Sequence, residues 1–162
     1  MGIVAEAGRG VGGAPRTTSM PTITRSALVE HSAARMFGLV NDVAAYPRRF
    51  AWCDGAEVIE STPDRMLARL DLGIGGIHTW FTTENRLTPP HAIEMALRDG
   101  PFRKLHGRWA FHALDESACN VALSLEFEPR SRLLVPALTL GFQSLADRMV
   151  DDFVRVADRG DG

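Results

Sequence analysis

The clearest hydrophobic pattern of the chain lies at its C-terminal end, between Ser131 and Arg159. Apolar residues recur there in steps of three or four, at Leu134, Leu138, Phe142, Leu145, Met149, Phe153 and Val156. This spacing keeps all of these side chains on one face of an α-helix. The pattern therefore predicts one long helix with a buried apolar seam, capped by Ser131 and ended by Gly160.

The middle of the chain alternates apolar and polar residues with the period of two that is typical of half-buried strands. The cleanest case is the row Val121, Leu123, Leu125 and Phe127, which alternates with small or polar residues. Turn-forming residues separate such segments at short intervals, as a meander of hairpins requires. The predicted strands are 22–30, 57–61, 66–72, 77–86, 93–98, 105–112 and 120–128.

Two short helices are predicted between the first and second strands. Ser32 is a favourable N-cap for a helix that carries Met36, Phe37, Leu39 and Val40. Residues 42–45 fit a second short helix. The residue before a proline avoids the helical conformation, so Tyr46-Pro47 limits this region. Residues 46–52 are therefore predicted to be a loop rich in aromatic side chains.

This order of elements predicts an α+β, helix-grip fold, because strands follow strands and the helices stand at the ends. A sheet of six or seven antiparallel strands must twist and curl. The curved sheet would hold the long helix, with an apolar cavity between the two. Since an apolar void costs about 24 cal/mol per Å³, the cavity is either small in the free protein or filled by a lipid. The alternative is that the inward aromatic side chains simply pack together.

The length of 162 residues predicts a single folded domain, and the formal charge of -2 argues neither for nor against an acidic partner. Residues 1–19 are glycine-rich and lack hydrophobic periodicity, so they are predicted to be a disordered tail before a domain at 20–162. We hypothesise that Met20 is the natural start. A protein that binds nucleic acid through phosphates usually has a basic excess, so no DNA partner is expected, and RNA binding would need a local basic patch.

Cysteine usage and hydropathy place the protein in the cytoplasm. Cys53 and Cys119 do not have the spacing of a metal site and are predicted to be buried free thiols, as suits a reducing compartment. No apolar run reaches the roughly 18 residues that a membrane span needs. The N-terminus also lacks a basic region followed by an apolar core, so no signal peptide is predicted.

No catalytic motif is apparent. The histidines form no H-x3-H pair and no H-E-x-x-H motif, and G-x-S-x-G is absent. His106 and His112 fall on the polar register of their strand, which favours exposure to solvent. The acidic residues lie mainly on outward registers or in turns. We therefore expect no catalytic residue, no metal site and no redox group of the protein's own.

Several segments taken together resemble a known family. They are Arg25–Val29, Met36-Phe37, Leu39–Val43, Tyr46-Pro47, Trp52-Cys53, Asp99–Phe102, Leu105-x-Gly107-x-Trp109-x-Phe111, Ala118-Cys119 and Leu125-x-Phe127. As a set, over residues 20–159, they resemble the coenzyme Q-binding branch of the START-like (START/Bet v-like) helix-grip proteins, within the polyketide cyclase/dehydrase-like superfamily. That branch includes mitochondrial coenzyme Q chaperones and the bacterial ribosome-association toxin RatA. One departure is Arg48–Ala51, where the family usually has a second proline beside the expected cavity mouth.

The resemblance implies non-enzymatic binding of an apolar ligand, ubiquinone or a related polyprenyl lipid, in support of respiratory electron transport. The expected ligand-binding residues are Met95, Trp109, Phe111, Leu123, Leu125, Phe127, Leu138, Phe142, Leu145 and Met149. The expected cavity entrance is formed by Tyr46, Pro47, Phe50 and Trp52. These aromatic residues would form a lid that also touches a membrane transiently, at the inner membrane; the alternative is a loop that packs on its own domain.

Two further functions remain open. The resemblance equally implies a toxin that binds the large ribosomal subunit and blocks subunit association, with Arg48 and Arg49 against ribosomal RNA or anionic headgroups. Two adjacent arginines are otherwise typical of a solvated edge. The third function is a polyketide cyclase-like enzyme, which would need polar acid–base groups inside the cavity.

Overall fold

The computed structural model describes residues 3–4, 21–74 and 76–160. The strands within these residues are β1 (Ile3–Val4), β2 (Thr22–Val29), β3 (Cys53–Thr62), β4 (Arg65–Ile74), β5 (Ile77–Thr88), β6 (Ala92–Asp99), β7 (Phe102–Asp115) and β8 (Ala118–Pro129). They form one antiparallel sheet in the order β1-β2-β8-β7-β6-β5-β4-β3. The strands from β3 to β8 form a meander, and β2 lies next to its last strand, because β2 pairs with β8 rather than with β3.

The helices are α1 (Ala33–Asn41), α2 (Tyr46–Arg49) and α3 (Val135–Arg159), with 3₁₀ turns at Val43–Ala45 and Arg132–Leu134. The α1 helix begins as predicted, because the Ser32 hydroxyl accepts a hydrogen bond from the Arg35 amide at 3.0 Å. The α3 helix ends at Gly160, whose φ of 75° is the left-handed conformation that glycine adopts without strain.

The predicted fold class is confirmed: a curved antiparallel sheet holds the long helix α3, and short helices follow the first long strand. Alternation is the reason that the sheet has one apolar face. In β7 the side chains of Leu105, Trp109 and Phe111 are buried, while the intervening His106 and His112 are exposed, as predicted. Register shifts in the β3–β4, β5–β6 and β7–β8 pairs mark the bulges that let the sheet bend.

Two local predictions were wrong. Residues 46–52 do not form only a loop, because α2 occupies Tyr46–Arg49 with Pro47 in its first turn, where the missing amide costs no hydrogen bond. Ser131 does not cap α3: its side chain makes no capping hydrogen bond, and a 3₁₀ turn intervenes before the helix begins at Val135. The observed strands other than β2 also extend beyond the predicted ends, most of all β3 and β7, whereas β2 ends at Val29, one residue before its predicted end.

The predicted N-terminal tail is only partly described. Ile3–Val4 pairs with Ser26 and Ala27 of β2 as a two-residue edge strand. The rest of the predicted disordered tail, and Met20 as the hypothetical start, lie outside the described residues. Both therefore stay predictions, as does the domain boundary at residue 20.

Candidate functional site

An apolar cavity of about 60 Å³ lies between the concave face of the sheet and α3. Its walls come from the end of α1, the strands β4 to β8 and the middle of α3. The lining residues are Val40, Asn41, Val43, Tyr46, Ala68, Leu70, Leu72, Phe81, Thr83, Asn85, Ile93, Met95, Trp109, Leu123, Leu125, Phe142, Leu145 and Met149.

Most of the predicted ligand-binding residues reach this cavity. Those that line it are Met95, Trp109, Leu123, Leu125, Phe142, Leu145 and Met149. Phe111, Phe127 and Leu138 are buried elsewhere in the core and do not line it. Phe111 stacks on Trp109 with ring centroids 6.3 Å apart, and Phe127 packs on Phe142 at 4.7 Å. Phe111 and Phe127 thus pack against residues that line the cavity. Contact of a ligand with any of the ten predicted ligand-binding residues stays a prediction.

The predicted entrance residues have separate positions. Tyr46 lines the cavity, and its hydroxyl donates a hydrogen bond to the Val40 carbonyl. Phe50 and Trp52 stack face to face at 4.8 Å against Phe153 of α3, and neither lines the cavity. Pro47 is exposed on α2. The arrangement of Phe50 and Trp52 corresponds to the alternative of a segment that packs on its own domain, and a gating role stays a prediction.

Three polar side chains on the cavity wall were missed by the sequence analysis. The Thr83 hydroxyl donates a hydrogen bond to Oδ1 of the Asn85 side-chain amide at 2.7 Å, and both residues are buried. The buried Oδ1 of Asn41 has no hydrogen-bond partner within the described part of the chain. In the sequence, the adjacent apolar residues Trp80 and Phe81 left the inward face of β5 ambiguous. Because alternate residues of a strand share one face, the burial of Phe81 identifies Thr83, Asn85 and Leu87 as inward-facing too.

The side chains that line the cavity can form hydrogen bonds to a ligand, but they have little capacity for acid–base catalysis. Among its lining residues Tyr46 is the titratable one, and burial holds the pKa of its phenol well above the usual range. The amides of Asn41 and Asn85 can form hydrogen bonds but do not exchange protons near neutral pH. These groups can orient a carbonyl or hydroxyl of a ligand, but they do not supply a general acid or base.

The cysteines are buried free thiols, as predicted. Burial raises the pKa of Cys53 to about 11 and also raises that of Cys119. Among the residues that the structure describes, no group of three or more His, Cys, Asp or Glu side chains could hold a metal ion. In the same part of the chain, no helix combines the length and apolarity that crossing a membrane would require.

A second concave feature, which we call the basic groove, lies between α2 and the C-terminal half of α3. It has a volume of about 380 Å³, and four arginines contribute to its lining: Arg49, Arg148, Arg155 and Arg159. Its acidic residues are Asp151 and Asp152. Asp152 accepts hydrogen bonds from the Trp52 indole at 2.9 Å and from Arg155 at 2.6 Å. Arg48 is exposed in the last turn of α2 and does not line the groove.

Comparison with known proteins gives one close group and several distant ones. The ribosome association toxin RatA of Vibrio cholerae is 47% identical over 138 residues, which cover 85% of this chain and 96% of that protein. The mitochondrial coenzyme Q-binding protein of Drosophila melanogaster is 24% identical over 143 residues, covering 86% of this chain and 59% of that protein.

A solved structure shows how widely the fold is shared. The Zhui aromatase/cyclase from Streptomyces superposes with a TM-score of 0.80 at 17% identity, over 87% of this chain and 95% of that one. At this identity the likeness concerns the fold alone. The family model described as polyketide cyclase/dehydrase and lipid transport matches residues 29–154. The chain therefore belongs to the polyketide cyclase/dehydrase and lipid transport family.

Proposed function

We propose that the protein is a RatA-type ribosome-association toxin, which binds the large ribosomal subunit in the cytoplasm and prevents subunit association without catalysing a reaction. The observation that carries the proposal is the 47% identity to a ribosome association toxin over 96% of that protein. The same fold is kept by an aromatase/cyclase at 17% identity. Sharing the fold therefore does not by itself explain the 47% identity to the toxin.

The size of the cavity favours the toxin function over ubiquinone binding. Pockets that hold drug-sized ligands usually measure about 300–1,000 Å³, whereas this cavity measures about 60 Å³. A polyprenyl quinone would have to displace side chains such as Phe142 and Met149 before it could enter. Ubiquinone binding, the first function inferred from the family resemblance, is therefore our second candidate.

The basic groove is the surface that we assign to ribosomal RNA. Because the whole chain carries a formal charge of -2, contact with RNA phosphates requires a local excess of cations. The groove has four arginines against two aspartates in its lining; of these arginines, Arg155 pairs with Asp152, and Arg49 pairs with Asp42 outside the lining. Arg48, which is exposed on α2 and precedes Arg49 in sequence, adds a further cation.

Arginine suits this role because its planar guanidinium can donate two parallel hydrogen bonds to one phosphate. Aromatic packing fixes the relative position of the two walls. Phe50 and Trp52 follow α2 directly, and both pack on Phe153 of α3. A rigid basic surface can bind to a folded RNA face without ordering a flexible loop, and its occupancy of the subunit interface would block association by exclusion.

The test is co-sedimentation with purified large ribosomal subunits across a salt series. We expect the wild-type protein to sediment with the subunits at low salt and to be released as salt rises. Reversing two charges, with Arg48→Glu and Arg148→Glu together, should weaken binding and reduce the slope of log K against log salt by about 2. Arg86→Glu with Arg98→Glu is the matched control, because both arginines are exposed, on β5 and β6, and neither lines the basic groove.

Two outcomes would contradict the proposal. Failure of the wild-type protein to sediment with large subunits at low salt would reject ribosome association itself. Equal weakening by Arg86→Glu with Arg98→Glu and by the groove variant would reject the groove as the contact, because the effect would then follow net charge.

The second candidate function, binding of an apolar ligand, is favoured by the polar groups at the cavity wall. The unpartnered Asn41 oxygen and the Asn85 amide could bind a ligand that carries both a donor and an acceptor. Native mass spectrometry with lipid extraction would detect a co-purifying quinone or related lipid, and Leu125→Arg should abolish it in a protein that still folds. A protein that purifies empty and shows no thermal shift with short-chain quinones would exclude this candidate.

A further inference from the structure

We propose that the outward face of the 3₁₀ turn Arg132–Leu134 and of the first turns of α3 is a docking surface for an anionic phospholipid bilayer. This surface, called the leucine face below, consists of Leu133, Leu134, Pro136, Ala137 and Leu140. It is separate from the cavity and from the basic groove. The inference goes beyond the proposed function and does not depend on it.

The leucine face is the largest departure from ordinary surface composition in the described residues. Leu133 is 90% exposed, Leu140 69% and Leu134 47%. These are three of the six large apolar side chains that are exposed in the described part of the chain, and all three fall within eight residues. Leu133, Ala137 and Leu140 are spaced by four and three residues, so they share one side of the helical segment.

The opposite side of the same turns is also apolar, because Leu138 and Phe142 are buried against the sheet. A helix that is apolar on all sides is normally covered on all sides. The rest of α3 does not share this property. From Asp147 onward its exposed positions are charged, at Asp147, Arg148, Asp151, Arg155, Asp158 and Arg159. The exposed leucines therefore require a local explanation.

The charge beside the leucine face is positive. Arg130 and Arg132 immediately precede it, are exposed, and form no ion pair with any side chain in the described ranges. No acidic residue occurs between Glu128 and Asp147. At the same end of the sheet Phe102 pairs with Pro129 and Lys104 with Glu128, and Arg103 lies 3.8 Å from the Glu128 carboxylate, so Glu128 offsets part of the charge of these two residues.

An anionic bilayer matches both properties at once. Leucine side chains are stabilised at the boundary between headgroups and acyl chains, and arginines remain among the lipid phosphates. RNA offers the phosphates but no apolar layer for Leu133 and Leu140. A second copy of the chain, packed about a two-fold axis, would place Arg130 and Arg132 near their own counterparts. Since no described helix can cross a membrane, the binding would be peripheral.

The leucine face and the basic groove can be tested separately because they lie on different parts of α3. Leu140 and Arg148, the members of the two surfaces that are nearest in sequence, are eight residues apart on this helix, which corresponds to about 12 Å along its axis. Substitutions in one surface therefore leave the side chains of the other in place. The leucine substitutions should also preserve folding, because these side chains have little contact with the core.

The experiment is sedimentation of the full chain with vesicles of phosphatidylglycerol and phosphatidylcholine, compared with vesicles of phosphatidylcholine alone. We expect binding to the anionic vesicles and at least a roughly tenfold loss of affinity in the double variant Leu133→Ser, Leu140→Ser. Arg130→Glu with Arg132→Glu should remove the preference for anionic lipid. Leu114→Ser, at a leucine 54% exposed on β7, is the matched control and should bind like the wild type.

Each alternative gives a distinct result that would overturn the proposal. Absence of wild-type binding to anionic vesicles excludes the bilayer. Loss of ribosome co-sedimentation in the leucine variant, with vesicle binding unchanged, would assign the face to the ribosome. A dimer in light scattering that dissociates in the leucine variant would assign it to a second copy. Thermal unfolding of each variant verifies that a loss of binding is not a loss of fold.

Discussion

The indole Nε1 of Trp52 donates a hydrogen bond to a carboxylate oxygen of Asp152 at 2.9 Å, across 100 residues of sequence. It connects the segment before β3 to the C-terminal half of α3. The other carboxylate oxygen of Asp152 accepts from Arg155 at 2.6 Å. A single carboxylate thus orients both the aromatic cluster under α2 and one arginine of the basic groove.

Asp152→Ala should lower the free energy of unfolding by about 1–3 kcal/mol. The reason is that Trp52 is only 2% exposed, so its N–H group would lose its acceptor in a position that water reaches poorly. Denaturant unfolding monitored by tryptophan fluorescence measures the change. Asp151→Ala is the control, because Asp151 is exposed and forms no ion pair with another described residue. Equal losses in the two variants would mean that charge, rather than the Trp52 contact, is responsible.

Substitution by alanine should affect the stability of the fold much more at Gly100 than at Gly107. At Gly100, φ is 143° and a Cβ would lie 3.0 Å from the Trp80 carbonyl oxygen, so Gly100→Ala should destabilise the fold by about 1–3 kcal/mol. At Gly107, a Cβ would clash with the terminal methyl of Met95, at 2.5 Å, while Leu125 and Ser124 lie at ordinary contact distances of 3.5 and 3.6 Å. Met95 lines the cavity and its flexible end can move into that space.

Gly107→Ala should therefore change the free energy of unfolding by less than about 1 kcal/mol. Thermal or chemical unfolding of the two variants side by side measures this difference. If Gly107→Ala is as damaging as Gly100→Ala, the cavity beside Met95 cannot accept the displaced side chain.

Tyr46 should ionise only when the protein unfolds. It is the single tyrosine of the chain, and burial raises the pKa of its phenol well above the usual range. The unfolded phenol has a pKa of about 10. Stability that depends on the neutral phenol is therefore complete below about pH 10 and is lost as the pH rises further. An alkaline titration should show tyrosinate absorbance rising together with the loss of circular dichroism, and an earlier rise would show that Tyr46 is accessible in the folded state.

Both thiols should be unreactive in the folded protein. Cys119 is fully buried, Cys53 is 5% exposed, and burial raises both pKa values. Because the thiolate is the reactive form, a thiol-specific disulfide reagent at pH 8 should label neither cysteine until urea is added. The fully unfolded chain, which should react at both positions, is the control. Rapid labelling without urea would show local opening around β3 or β8.

Periodicity was sufficient for the elements that are amphipathic along most of their length. The seam of α3 and the alternation of β8 predicted both the elements and their buried faces, since a helix or strand with one apolar face must cover it. Periodicity was insufficient where two apolar residues are adjacent, as at Trp80 and Phe81. There the inward side was decided by the register with β4 and β6, which turns Phe81 inward and places Arg69 over the Trp80 ring at 4.2 Å.

Seven of the ten ligand-binding residues predicted from the family resemblance line the cavity, but the resemblance could not give the volume of that cavity. The volume depends on how closely Phe142, Leu145 and Met149 approach the sheet, which is a property of packing between distant elements. For the same reason the sequence did not predict that Phe50 and Trp52 stack on Phe153.

The sequence by itself determined the class of the fold, the order of its elements and the buried face of its long helix, because these follow from local spacing of apolar residues. The tertiary structure decided which side chains meet. It left about 60 Å³ between the sheet and α3 and gathered four arginines into the basic groove. It also left Leu133 and Leu140 uncovered. Such features depend on the distance and orientation between elements far apart in the chain, which local spacing does not encode.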